Sequence, residues 1–372
     1  MALQQLQLSQ FRNIESAQLS FSADWNLIYG ANGSGKTSVL EAIYLLAHGR
    51  SFRTSKAHKV IRHEQALYTV FARIGAGAQQ IALGVQRDRA GDWLARLNGE
   101  KVQRVADCAS LLPVQLITPE SFRLFFGGPK ERRQFFDMGL FHVEHQFYEV
   151  WMRFNKVLKQ RNALLKSRQT NAEFYQFWDQ QFVELAIQLQ SMRVAYIELL
   201  NVELQNLIKD VPALLGLQLE LVAGWNCREN NAAELTQQLR DSFAMDLRVG
   251  YSQLGPQKAD LRVKVRGEYA DELLSRGQLK VLLFSLKIAQ SNVIYRSGHK
   301  QPLLLIDDLA SELDDQSKRQ IFNFLYQLNS QVFITAIETS QVLPQISSDT
   351  EVALFHVEHG QIERTDENGR RT

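Results

Sequence analysis

The stretch Gly30-Ala31-Asn32-Gly33-Ser34-Gly35-Lys36-Thr37-Ser38 decides how this chain folds. It contains a glycine, four residues, then Gly-Lys-Thr, the pattern in which backbone amides curl around a nucleotide phosphate. Glycines leave those amides bare, and the helix that follows turns its positive end toward the anion. In this pattern Lys36 reaches the β- and γ-phosphate oxygens, and the Thr37 hydroxyl ligates Mg²⁺. The flanks agree. Trp25-Asn26-Leu27-Ile28-Tyr29 reads as a short strand, and Ser38 to Ile43 carries apolar residues at helical spacing. A glycine-rich turn with no nucleotide is the competing reading, and the strand, loop and helix context weighs against it.

The matching half of a Mg²⁺-nucleotide site lies far downstream, at Leu303-Leu304-Leu305-Ile306-Asp307-Asp308. The apolar run after Pro302 predicts a strand buried on both faces. Two acids emerge at its carboxyl end, where open parallel sheets place ligands. Asp307 would hold Mg²⁺ through its water shell, and Asp308 would orient or polarise the attacking water. Taken alone the pair is also an ordinary helix start; beside a phosphate loop the functional reading gains. Lys36 and Asp307 must meet at one Mg²⁺, so both ends of the chain belong to one α/β domain built on a mixed sheet.

Just before that strand, Leu274-Ser275-Arg276-Gly277-Gln278 resembles the signature of the ATP-binding-cassette (ABC) ATPases. In those proteins a serine hydroxyl and glycine amides at a helix start contact the γ-phosphate of ATP held by the opposite subunit. The resemblance implies that Ser275, Gly277 and Gln278 touch nucleotide across a head-to-tail homodimer that sandwiches two ATP molecules. Ser275 is also a good helix cap, with Leu279 to Ile288 as the helix, so a capping turn without ligand remains the alternative.

An ordered set of further strings makes the whole chain similar to one family. They are Phe11-Arg12-Asn13-Ile14-Glu15, the run from Gly30 to Arg53, and Gln115-Leu116-Ile117-Thr118-Pro119-Glu120. Gly127-Gly128-Pro129-Lys130 with Arg132-Arg133, then Leu158-Lys159-Gln160-Arg161-Asn162, continue it. Leu254-Gly255-Pro256-Gln257-Lys258-Ala259-Asp260-Leu261, the Ser275 string and residues 307 to 315 complete it. Together they resemble the RecF family of bacterial recombination-repair ATPases. That resemblance implies an ABC/SMC-type (structural maintenance of chromosomes) P-loop ATPase head carrying a mainly helical lobe. It further implies ATP and Mg²⁺ as cofactors, weak ATP hydrolysis, ATP-dependent dimerisation, and binding to gapped DNA or single-strand/duplex junctions. Partners would be the RecO and RecR mediators, which load recombinase, in DNA replication, repair and the SOS response.

The resemblance also carries secondary site assignments. Gln115 matches the glutamine that senses Mg²⁺ and the attacking water, and Asp314 lies where such heads communicate between their two ATP sites. Thr335 stands where many ABC ATPases have a switch histidine, which is missing here. Two departures matter. The family's usual histidine is Gln257, which removes any ionisable role there but keeps hydrogen bonding. The carboxylate after the magnesium aspartate is Asp308, one methylene shorter than the glutamate of many ABC ATPases and shared with the RecF family. A less well-placed base implies slow hydrolysis, with ATP acting as a timer.

Composition fits an ordinary globular protein: 372 residues, 45% apolar, 22% charged and a net charge of +2. No apolar run reaches the ~18 residues of a membrane span, and the start lacks the blocks of a signal peptide, so a cytoplasmic protein without membrane partners is expected. Cys108 and Cys227 stand apart from each other and from histidine clusters, which removes disulfide and zinc readings.

From Leu140 to Val211 neither glycine nor proline occurs, which predicts long helices. Within it Trp178, Phe182, Leu185, Leu189, Met192, Tyr196 and Leu199 make a heptad-like stripe, the mark of a packed helix pair. Residues 120–245 are therefore expected as a helical lobe inserted into a head made of 1–119 and 246–372. Between Val150 and Asn171 the chain is basic with no acidic residue, and two readings of that run stand: a solvated helix face, or a phosphate-contacting stripe. The DNA candidates are Arg153, Lys156, Lys159 and Arg161 from that run, with Lys130, Arg132 and Arg133 before it. The hexapeptide Leu-Phe-His-Val-Glu-His occurs at 140–145 and 354–359 without a larger repeat around it, and coincidence outweighs a metal site. Two other functions share the phosphate loop: an ABC-type ATPase subunit of another assembly, and a scaffold that holds ATP without turnover.

Overall fold

Two apolar runs far apart in sequence lie in one sheet. In the computed structural model of the chain, which describes residues 2–75, 80–171, 173–227, 230–298, 300–308, 313–328, 330–347, 349–366 and 370, β3 spans Trp25–Tyr29 and β12 spans Leu303–Ile306. These are the residues their patterns predict. β12 and β13 (Gln331–Ala336) are buried at every position, as strands covered on both faces must be. With β8 (Val114–Ile117), β14 (Val352–Glu358) and β15 (Gln361–Thr365), the strand order is β15-β14-β3-β13-β12-β8. All neighbours run parallel except β15, which turns back antiparallel, so the sheet is mixed as expected. Register pairs Ile306 with Ile334 and Ile334 with Leu27, which brings the phosphate loop, Asp307 and Thr335 together at the carboxyl ends of three neighbouring strands.

A second, antiparallel sheet runs β2-β1-β4-β5-β6-β7. Its strands are β1 (Leu3–Phe11), β2 (Ile14–Ser20), β4 (Leu67–Ile74), β5 (Ile81–Asp88), β6 (Trp93–Leu97) and β7 (Glu100–Val102). Leu6 lies opposite Leu19, the pairing that the alternation near the amino terminus predicts. One core joins Leu6, Val70 and Leu83 of this sheet, Leu40 and Ile43 of α1 (Lys36–His48), and Leu305, Phe333 and Phe355 of the parallel sheet. Gln331, fully buried, accepts from the amide of Leu3 at 2.8 Å and donates to its carbonyl at 2.9 Å, so one side chain stitches the two sheets. α1 ends at Gly49 in the left-handed region (φ 62°), the usual glycine stop, and its first turn has no side-chain cap.

The chain divides into two compact units, Met1–Ser121 with Leu283–Thr372, and Phe122–Leu282. Helices dominate the second: α2 (Val105–Leu111) belongs to the first unit, while α3 (Arg123–Phe126), α4 (Pro129–Val143), α5 (Phe147–Lys166), α6 (Glu173–Ile208) and α7 (Ala232–Val249) follow in the second. It also holds a three-stranded sheet, β11-β10-β9, made of β9 (Leu217–Val222), β10 (Asp260–Val265) and β11 (Glu268–Tyr269). β10 pairs antiparallel with β9, and that pairing keeps residues 246–282 with the helices. The junction expected at 245/246 is therefore at Leu282/Leu283, inside α9 (Arg276–Gly298), which follows the short α8 (Ala270–Leu273). Asn201 of α6 donates to the Leu219 carbonyl and accepts from its amide, both at 2.9 Å, occupying the open edge of β9.

The α6 stripe is only partly as predicted. Phe182, Leu185, Leu189 and Tyr196 are buried, but Leu199 is 50% exposed and Leu200 takes its place inside. A straight α-helix drifts about 20° per heptad against a 3.5-residue repeat, so a seven-residue pattern rotates off the buried face over the 36 residues of α6.

Candidate functional site

Gly30, Gly33 and Gly35 all have positive φ (146°, 78° and 125°), the backbone curl that only glycine takes freely. At Gly30 a Cβ would also collide with the carbonyl oxygen of Val357, so the loop closes against β14. The uncapped first turn of α1 leaves amides for an anion. Asn13 supports the loop from beneath: its Nδ2 donates to the Ser34 carbonyl at 2.8 Å, and its Oδ1 accepts from the Ser38 hydroxyl at 3.3 Å. Lys36 folds back over the loop, donating to the carbonyls of Gly30 (2.8 Å) and Ala31 (3.0 Å). Burial pushes its pKa down, and the nearby Asp308 and Asp307 oppose that shift.

The loop opens on a cavity of about 870 Å³, walled by Asn32, Gly33, Lys36, Thr37, Asp307, Asp308 and Thr335 among others. Its charge is organised around Asp307. The Thr37 hydroxyl donates to Asp307 Oδ1 at 3.0 Å and the Thr335 hydroxyl donates to the same oxygen at 2.8 Å. Burial raises the Asp307 carboxyl pKa, and these two hydrogen bonds pull against it. A hydroxyl and a desolvated carboxylate in contact are the oxygen donor set of Mg²⁺, so the residues fit that ion. Asp308 is exposed on the cavity wall at φ 57°, a left-handed conformation in which aspartate is among the few tolerated residues. Its amide donates to Thr335 Oγ1 at 2.8 Å.

Three residues that the sequence left without a role belong to this architecture. Thr335, fully buried, binds both acids of the site, where the sequence showed only a missing histidine. Arg12 clamps the buried carboxylate of Glu41, with Nε at 2.9 Å; Ser51 also donates to that carboxylate and Arg53 stands 3.7 Å away. A carboxylate among the apolar residues Leu40, Ala42 and Ile43 was the signal that a cation had to meet it inside. Lys287 is the third. It donates to Gln115 Oε1 at 3.4 Å, and burial brings its pKa down to about 8. Gln115 is itself buried, on β8, and its amide oxygen is turned to that ammonium.

In the second unit, Ser275 is exposed and forms a reciprocal cap with Gln278: its amide donates to Gln278 Oε1 at 2.9 Å, and the Gln278 amide reaches Ser275 Oγ at 3.3 Å. Gly277 follows in the first turn of α9. In the first unit, Asp314 caps α10 (Asp315–Tyr326) by accepting from the Ser317 amide at 2.8 Å, which holds its carboxyl below the usual range. Residues 309–312 of the aspartate string lie outside the described residues. Gln257 donates to the Leu254 carbonyl at 2.7 Å, so its amide serves its own turn.

The seven DNA candidates divide sharply. Arg161 is fully buried, bonded to Asp179 (2.7 Å), Asp246 (2.8 Å) and Ser252 (2.7 Å), and is not a surface cation. Arg132 forms a fork with Asp260 at 2.7 and 3.0 Å, and Arg133 donates to the Ala259 carbonyl at 2.6 Å. These three arginines are structural, each placed opposite an acid or carbonyl that sequence spacing does not disclose. Lys130, Arg153, Lys156 and Lys159 are exposed.

A phosphate loop, an aspartate-bearing parallel strand and a capped Ser-x-Gly-Gln helix define a P-loop ATPase head of the SMC type. Residues 2–363 match the RecF/RecN/SMC N terminal domain, and the chain belongs to that family, among the RecF proteins. It is 43% identical over 365 residues to the DNA replication and repair protein RecF of Pseudoalteromonas translucida, covering 97% of this chain and 99% of that one. It is 41% identical over 362 residues to RecF of Shewanella pealeana, with the same coverage. Among solved structures, the recombination mediator protein RecF with ATP, described as part of the RecFOR pathway, superposes with a TM-score of 0.85 at 25% identity over 98% of both chains. An SMC head bound to the winged-helix domain of ScpA shares the fold, with a TM-score of 0.58 at 14% identity.

Proposed function

We propose that this chain is an ATP-binding, ATP-hydrolysing DNA-repair protein whose nucleotide site is completed by a second copy. The observation that carries the reading is the hydrogen-bonded set Thr37, Asp307 and Thr335 on the wall of a cavity that also presents Lys36 and the bare loop amides. Residues Gly30 to Ser38 would cradle the phosphates, and Lys36 would swing from the loop carbonyls to the β- and γ-oxygens. Thr37 and Asp307 would hold Mg²⁺, which neutralises phosphate charge, with Gln115 at the same ion after leaving Lys287. Asp308, exposed and with its backbone fixed by Thr335, would orient the attacking water. Ser275, Gly277 and Gln278 of a partner copy would close over the γ-phosphate.

Slow turnover is expected from the short Asp308 side chain, so bound ATP sets the lifetime of a dimer on DNA. Exposed Lys130, Arg153, Lys156 and Lys159 support phosphate contact with gapped DNA or single-strand/duplex junctions through counterion release. The relatives' role supports work beside RecO and RecR in recombinase loading, in the cytoplasm. Among the described residues no helix is long and apolar enough to cross a membrane. The test is Asp308→Asn: it should lower phosphate release at least about tenfold and prolong the ATP-bound dimer. Unchanged release with unchanged dimer lifetime would remove Asp308 from catalysis and leave an ATP-holding scaffold.

A further inference from the structure

The α5–α6 hairpin ends in bare aromatic rings next to cations. Phe174 and Phe177 are 56% and 62% exposed and stand three residues apart, on one face of the first turns of α6. Neither hangs on a mobile loop. Tyr175 between them is buried, donates its hydroxyl to the Gln169 carbonyl at 2.9 Å and packs edge-on against Phe243 of α7 at 4.9 Å. Trp178 meets the Phe177 ring at 5.1 Å. The helix start is pinned to the preceding loop and to a neighbouring helix, so the two rings are held out on a firm mount. Leaving each more than half in water forgoes much of the stabilisation that burying a phenyl ring would bring.

The surroundings say what could cover them. Lys166 at the end of α5 and Arg168 in the loop that Tyr175 pins are exposed, and the exposed side of α5 adds Arg153, Lys156 and Lys159. No acidic residue occurs from Val150 to Asn171, and Asp179 on α6 is held by buried Arg161. Glu173, at the start of α6, is the exposed carboxylate closest in sequence. Planar apolar faces beside unpaired cations match unpaired nucleobases strung on phosphates, because every base offers a π-face and every link a negative charge. A duplex exposes phosphates but hides its base faces, so it gives the rings nothing to stack on.

We propose that this hairpin tip is a single-strand nucleic-acid platform, on which Phe174 and Phe177 stack unpaired bases and Lys166 and Arg168 hold the adjoining phosphates. The inference rests on the DNA-binding reading above and assigns its single-strand component. Stacking a base on an aromatic ring strengthens binding by about fivefold to a hundredfold, so removing both rings has a large, selective effect.

The experiment compares wild type, Phe174→Ala/Phe177→Ala and Lys156→Gln/Lys159→Gln, all full length, on labelled oligothymidylate and on a duplex of equal length. The aromatic variant should lose about tenfold or more in single-strand affinity, with duplex affinity within about twofold of wild type. The lysine variant should weaken both and flatten both salt slopes. Lys166→Gln/Arg168→Gln should lower the single-strand slope by about 1.4, at roughly 0.7 per phosphate. Single-strand binding unchanged in the aromatic variant overturns the platform. So does a variant that binds single strands normally but loses self-association, which would make the tip a protein-docking face. Wild type that binds neither DNA would sink the DNA reading itself, and this inference with it.

Discussion

One hydroxyl holds the acidic half of the nucleotide site in order. Thr335 Oγ1 accepts from the Asp308 amide at 2.8 Å and donates to Asp307 Oδ1 at 2.8 Å, and it has no exposure to solvent. Valine there would keep the shape and remove both bonds, stranding the Asp308 amide and leaving Asp307 Oδ1 with the Thr37 hydroxyl. Thr335→Val should therefore cost about 1–3 kcal/mol of stability, seen as a lower denaturation midpoint, and should weaken Mg²⁺-dependent nucleotide affinity more than Mg²⁺-free affinity. A variant with wild-type stability and metal dependence would show that Thr335 merely fills space. At this scale the chemical letters were readable before the structure: Lys36, Thr37 and Asp307 could be singled out because the proposed roles demand those side chains in such local settings, and Thr37 does meet Asp307. Thr335, Arg12 and Lys287 could not, since each acts through a partner distant in sequence: Asp307, Glu41 and Gln115.

Elements were legible where one physical pattern ruled and obscure where two competed. β3 and β12 are short, largely apolar and bounded by turn residues, with Asn26 the one polar side chain in β3, and they form at the residues expected. The hexapeptide Leu-Phe-His-Val-Glu-His shows the limit: its first copy begins in helix α4 and its second begins in strand β14, so surroundings and not local preference set its state. The basic run of α5 was legible only in part for the same reason. Spacing cannot tell that Arg161 faces inward while Lys156 and Lys159 face water, because that depends on Asp246 and Ser252 many residues later. Arg161 and Asp246 are both without solvent exposure, and removing one partner leaves a buried charge uncompensated. Arg161→Gln is predicted to destabilise the protein by about 3–5 kcal/mol in chemical denaturation, with the salt slope of DNA binding unchanged in the folded fraction. A stable variant with a flatter slope would return Arg161 to the DNA surface.

The chain joins two units, and the proposed function draws on both. The phosphate loop, Asp307 and Asp308 lie in the first and the Ser275 cap in the second, while α9 runs from one unit into the other. The sequence reading put a lobe boundary at 245/246 and the compact units divide at Leu282/Leu283, since the strand pairing of β10 with β9 is long-range and leaves no local mark. The central claim is that ATP is closed over by the Ser275 helix of a second copy. Its most direct test is the mass in solution of wild type and Ser275→Arg, each with and without ATP and Mg²⁺, together with nucleotide binding on the same samples. Wild type should double its mass only with ATP and Mg²⁺, while Ser275→Arg binds ATP and stays single. If both remain monomeric while hydrolysing ATP, or if the variant dimerises as wild type does, the cross-subunit site is contradicted.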